Sequence, residues 1–94
     1  MSRSETAIAT EHASRYLQQL CKHFAHKRPV TFDEHAGEIS FKAGECRLRA
    51  EGGALRILLE APSAEDMAQL KDVVIRHLVR FAFREELAVD WQDA

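Results

Sequence analysis

Between Val30 and Ala61 the chain repeats one pattern, apolar and polar residues in alternation. Val30 and Phe32 alternate with Thr31 and Asp33, and Ile39 and Phe41 with Glu38, Ser40 and Lys42. Cys46, Leu48 and Ala50 alternate with Arg47 and Arg49. Leu55, Ile57, Leu59 and Ala61 alternate with Arg56, Leu58 and Glu60. A period of two residues describes strands with one dry face and one wet face. Such a sheet cannot bury itself, so its dry face needs a second layer. Gly37, Ala43-Gly44 and Gly52-Gly53 punctuate the runs, as hairpin connections require. The block therefore reads as a four-stranded antiparallel meander.

Taking Ala43-Gly44 and Gly52-Gly53 as two-residue hairpins fixes a register. Phe41 then lies opposite Cys46 and Cys46 opposite Leu59; Ile39 lies opposite Leu48 and Leu48 opposite Ile57; Ala50 faces Leu55. Every apolar partner falls on one face, which a slip of one residue would destroy. On the wet face Glu38 meets Arg49, which meets Arg56, and Lys42 meets Glu45, which meets Glu60. Each like-charge contact has an opposite charge in its row, so the face reads as self-neutralising.

The flanking segments supply the second layer. Ala13, Tyr16, Leu17, Leu20, Cys21 and Phe24 recur three and four apart, which predicts a helix from an N-cap near Thr10 to about His26. Pro29 stops it. Met67, Leu70, Val74, Leu78 and Phe81 form a second helical stripe, opened by Pro62-Ser63 with Glu65 and Asp66 at the positive end. Ala7-Ile8-Ala9 suits a short strand before the first helix, and Leu87, Val89 and Trp91 suit one after the second. The expectation is a single α+β domain over residues 1–94: a two-layer sandwich, its meander covered on one face by an N-terminal and a C-terminal helix. This order is similar to the TATA-binding-protein-like topology, and fold does not imply function.

Composition narrows the function classes. A hydrophobic fraction of 46% argues against disorder. Thirteen basic and fifteen acidic residues give a net charge of -2, without the strong basic field of a nucleic-acid binder or a polybasic membrane anchor. No apolar run approaches the roughly 20 residues of a spanning helix, and Met1–Thr10 does not read as a secretory signal. Cys21 and Cys46 are far apart and without a spacing motif, so they read as reduced core thiols in a cytoplasmic protein.

Candidate chemistry centres on histidine. His12, Tyr16, Gln19, His23 and His26 share one seam of the first helix, and His77 edges the stripe of the second. Side-by-side helices would bring His23 toward His77. Two histidines resemble part of a metal site, but no carboxylate or thiol has the right spacing, and HExxH and CxxC are absent. The preferred reading is helix-edge histidines without a metal or cofactor. Arg47, Arg49 and Arg56 suggest an anion site, against which stands cross-strand pairing with Glu38, Glu45 and Glu60. Lys22, His23, His26, Lys27 and Arg28, extended by Arg15, form a basic patch that the helix C-terminus itself favours, and that an acidic partner or an anionic ligand would also fit. No catalytic constellation is apparent: the thiols read as core, and no GxSxG or paired carboxylate appears. Phe83, Leu87, Val89 and Trp91 either fold back on the core or supply a dimer contact.

The segment from Ala13 to His23, followed by Lys27, resembles the opening signature of a bacterial domain-of-unknown-function family, the one numbered 2218. His77-Leu-Val-Arg-Phe-Ala-Phe-Arg-Glu85, with Leu87 and Trp91, resembles its closing signature. The family carries no established activity. Its association with siderophore-interacting reductases implies iron uptake as a setting. The matching residues Arg15, Tyr16, Cys21, His23, His77, Arg80 and Trp91 include polar groups at helix edges. The resulting expectation is a non-enzymatic binding or accessory module, its ligand site formed by Arg15, Tyr16, His23, His77 and Arg80. The alternatives are a homodimeric or protein-interaction module and, third, a metal- or histidine-dependent enzyme.

Overall fold

The computed structural model describes residues 1–93. Its elements are β1 (Ser2–Ala9), α1 (Ala13–Phe24), β2 (Val30–Phe32), β3 (Ala36–Ser40), β4 (Glu45–Glu51), β5 (Ala54–Ala61), α2 (Ala64–Phe81) and β6 (Gln92–Asp93). The strands form one antiparallel sheet in the order β2-β3-β4-β5-β1-β6. Both helices pack against it, and the core between the layers holds Ile8, Leu17, Leu20, Ile39, Leu55, Ile57, Leu59, Leu70 and Leu78, all nearly inaccessible. The α+β class stands: the four strands of the meander, β2 to β5, are joined by one strand from each end of the chain, making six.

The largest addition is β1. Instead of a short Ala7–Ala9 segment it pairs along the whole of β5, from Ser2 opposite Ala61 to Ala9 opposite Ala54. Its inward residues are Ser4, Thr6 and Ile8. Two of the three are polar, which hides the period-two signal in the sequence. They are tolerated because the C-terminal segment bonds them. The Ser4 hydroxyl donates to Asp93 Oδ1 at 2.7 Å, and the Asp90 N–H donates to Thr6 Oγ1 at 3.4 Å.

The β4–β5 register matches expectation, with Cys46, Leu48 and Ala50 opposite Leu59, Ile57 and Leu55. Gly52 and Gly53, at φ 58° and 72°, make the two-residue turn whose central positions both need positive φ. The β3–β4 register is corrected by two residues: Ile39, not Phe41, faces Cys46, and Gly37 faces Leu48. The connection there is a four-residue loop, Phe41–Gly44, in which the Phe41 N–H donates to the Gly44 carbonyl at 2.8 Å. A shift of two preserves which side chains face inward. It also breaks the β3 half of the expected wet-face rows, while Arg49 still meets Arg56 and Glu45 still meets Glu60. Glu38 meets Arg47 rather than Arg49, and Lys42 lies in the loop.

The helix ends also move. Thr10 is not the N-cap of α1; His12 holds that position, without a side-chain cap bond. Thr10 Oγ1 instead accepts from the His12 N–H at 3.1 Å. In α2 Ser63 caps as expected, its oxygen accepting from the Asp66 N–H at 3.1 Å. The last strand is Gln92–Asp93, on β1, rather than Leu87–Trp91. Leu87, Val89 and Trp91 are half-buried against the core, and Lys71 Nζ stands 5.5 Å from the Trp91 ring centre. Their alternation records packing of an irregular segment, so period two appears without a ladder.

Candidate functional site

The sequence places histidines on the apolar margins of both helices, and the fold brings two of them together. His23, in the last turn of α1, stands 4.9 Å from His77 of α2, ring centre to ring centre. Phe81 lies 5.8 Å from His23, and Phe24 lies 4.9 Å from His77 and 4.8 Å from Phe41. Because His23 meets His77 while Tyr16 meets Glu85, the helices run antiparallel along this edge. His77 Nδ1 lies 2.7 Å from the Val73 carbonyl oxygen, which can only accept. Nδ1 therefore carries the hydrogen of this bond, and Nε2 takes no part in it.

The electrostatics of this edge are one-sided. The His23 imidazole is held below the ordinary histidine value, first by desolvation and then by the charges of His77, Arg80, Lys27 and His26. All four neighbours are basic. None of the five groups joins an ion pair among the described residues. Arg80 is exposed beside the pair. A basic cluster without acids, backed by aromatic rings, is chemically suited to an anion with an apolar or planar body.

Arg15 and Tyr16 belong to a different constellation. Tyr16 is buried, at 4% exposure, and its hydroxyl donates to Glu85 Oε2. Thr10 Oγ1 donates to the same carboxylate at 3.0 Å. The hydrogen bond from Tyr16, ahead of other causes, lowers the Glu85 pKa, while burial and then this bond raise that of Tyr16. Arg15 is exposed nearby, its charge felt at the Tyr16 hydroxyl. The network ties the segment after α2 to the start of α1. Glu85 was not singled out by spacing, although a buried tyrosine demands a partner for its hydroxyl.

Other candidates disperse. Cys21 and Cys46 are free and buried, and burial pushes the Cys21 thiol up to about 11 and Cys46 higher still. Among the described residues no three metal-ligating side chains gather. No helix of the described residues is long and apolar enough to cross a membrane. Arg47 pairs with Glu38 at 3.4 Å and Arg56 with Glu51 at 3.1 Å, on the helix-free face of the sheet. That face holds a hollow of about 610 Å³ over β3, β4, β5 and β1, which the alternation of the strands did not announce.

A small antiparallel sheet roofed by two helices, with a histidine-aromatic edge between them, is the domain type that these features define. Residues 5–92 match the family described as an uncharacterized protein conserved in bacteria, DUF2218, and the chain belongs to it. The chain is similar to PA4090 from Pseudomonas aeruginosa, whose structure was determined by NMR. The two are 37% identical, with a TM-score of 0.82 over 98% of this chain and 96% of that one. Among curated proteins no relative matches.

Proposed function

We propose that the protein is a non-enzymatic binding or accessory module that takes an anionic ligand at the helix edge. His23, His77 and Arg80 make the contact. Arg15 and Tyr16 stand apart from that contact, Tyr16 holding the edge through Glu85. The observation that supports this reading is the gathering of His23, His26, Lys27, His77 and Arg80 without one acidic partner. Lys27 and Arg80 stand in this cluster without a counter-charge, and a bound anion supplies one. The setting proposed with it is iron or siderophore handling, in which the anion is an iron chelate. Two unlinked buried thiols favour a cytoplasmic location.

Thermal unfolding against phosphate, citrate, ferric catecholates and zinc tests this. At a hundredfold its dissociation constant a ligand adds roughly 2.7 kcal/mol, a shift of about 10 °C or more for a chain of this length. The shift should come from an anion, grow as pH falls and His23 takes a proton, and vanish in His23→Ala and Arg80→Ala. Stabilisation by zinc alone would support the metal-dependent alternative, and a flat panel would remove the anion reading.

A further inference from the structure

The open face of the sheet, away from the proposed ligand edge, carries charges that a single chain leaves unbalanced. Three rows cross β4 and β5 in succession: Glu45 faces Glu60, Arg47 faces Leu58, and Arg49 faces Arg56. The outer rows are like-charge pairs directly opposite each other, an arrangement that costs stability. Relief within the chain is partial. Arg3 lies across from Glu60, the Ser40 hydroxyl donates to Glu45 at 3.1 Å, and Glu51 pairs with Arg56 at 3.1 Å. Arg49 faces only Ala36 and Arg56, and it joins no ion pair among the described residues.

The acidic row lies two residues to one side of the Arg47–Leu58 row in both strands, and the basic row two residues to the other. The charges are thus opposite in sign about a central line. A twofold axis along that line, between two stacked sheets, sets each copy's acidic row over the other's basic row. We propose that this face is an interface with a second copy of the chain, arranged in this way. Glu45 meets Arg49 of the second copy and Glu60 meets its Arg56. Leu58 meets Leu58. Arg47 enters already neutralised by Glu38, at 3.4 Å. The contact is self-complementary, as a twofold interface must be. Twisted sheets stack in near alignment across about 10 Å, a gap that glutamate and arginine side chains span from both sides. Glu5, across from Leu58 on β1, meets its own copy and is the repulsive element.

Four strands about 4.8 Å apart and about 20 Å long cover roughly 400 Å² per copy, below the usual interface size. The dimer is accordingly weak, with Kd between about 1 µM and about 1 mM, and sensitive to salt. Sedimentation velocity of the whole chain from about 10 µM to about 1 mM reads it out. The wild type should pass from monomer to dimer in low salt and return to monomer near 1 M salt. Arg49→Glu with Arg56→Glu, and separately Glu45→Arg with Glu60→Arg, should each weaken association about tenfold or more. The four changes together should restore it, and Glu5→Gln should tighten it. All these positions are in the sheet's solvent layer, and circular dichroism checks that each variant is folded. A wild type that stays monomeric throughout in low salt overturns the proposal. So does a dimer indifferent to either reversal, or a folded fourfold variant that fails to associate.

Discussion

At Gly37 the sheet lies tight against Cys21 of α1, and one methyl group there tests the packing of the helix layer. A Cβ at this position would lie 2.7 Å from Cys21 Sγ, 3.2 Å from Phe32 Cβ and 3.4 Å from Leu17 Cδ2. Contacts of the first kind do not occur between relaxed atoms, so helix or strand must give way. Cys21 is buried in α1, and Gly37 is buried opposite Leu48. Overpacking of a filled core costs about 1–3 kcal/mol, so Gly37→Ala should lower Tm by roughly 5–20 °C. Cys21→Ala alone removes a buried sulfur and costs roughly 1–2 kcal/mol in transfer and cavity terms. In the double variant the new methyl occupies the space the sulfur leaves. The two costs should not add, and a coupling of about 1–2 kcal/mol should appear in urea unfolding. A neutral Gly37→Ala, or strictly additive costs, would refute this placement of α1 on β3.

Stability should also depend on His23. Its folded pKa lies below the ordinary value of 6.5, so the unfolded chain binds the proton more readily. The stability it contributes is present above about pH 6.5 and is lost as pH falls through the folded value, and His23→Gln should flatten that part of the Tm profile. Cys21 and Cys46 should resist thiol alkylation at neutral pH until the protein is unfolded, because their thiols are raised by burial; rapid native labelling would contradict their place in the core. Gly44→Ala should destabilise strongly, since a Cβ there would fall 2.1 Å from the Glu60 carbonyl oxygen, and thermal melting would show it.

Much of the fold was legible wherever one residue type dominates one face. The β4–β5 hairpin is readable because Gly52-Gly53 admits one short turn and every inward residue beside it is apolar. The second helix is readable from Ser63 and its stripe. The β3–β4 register is not, because Ala43-Gly44 fits a two-residue turn as well as the end of a four-residue loop, and both keep the same parity. Gly37 looks like punctuation in the sequence, yet it lies inside β3 and marks the approach of Cys21. The full length of β1 is not legible because Ser4 and Thr6 point inward, and their partners stand more than eighty positions away in the sequence.

The site was legible in part. Helical spacing puts His23 and His77 at facing margins, and the structure places them 4.9 Å apart. Spacing also puts Tyr16 on that seam, but its burial and its bond to Glu85 draw it into a packing network two turns away. No local pattern marks Glu85, whose role exists only once the chain after α2 returns over α1.

The most direct test of the binding reading is an NMR titration of the folded chain with the anion that gives the largest thermal shift, following the imidazole signals of His23 and His77 and the backbone amides. Perturbations should concentrate at the C-terminal turn of α1 and at His77 to Arg80, with the His23 pKa rising toward or above its ordinary value as the anion neutralises the cluster. Perturbations confined to Arg47, Arg49 and Arg56 on the open sheet face, with both histidines unmoved, would contradict the helix edge as the ligand site.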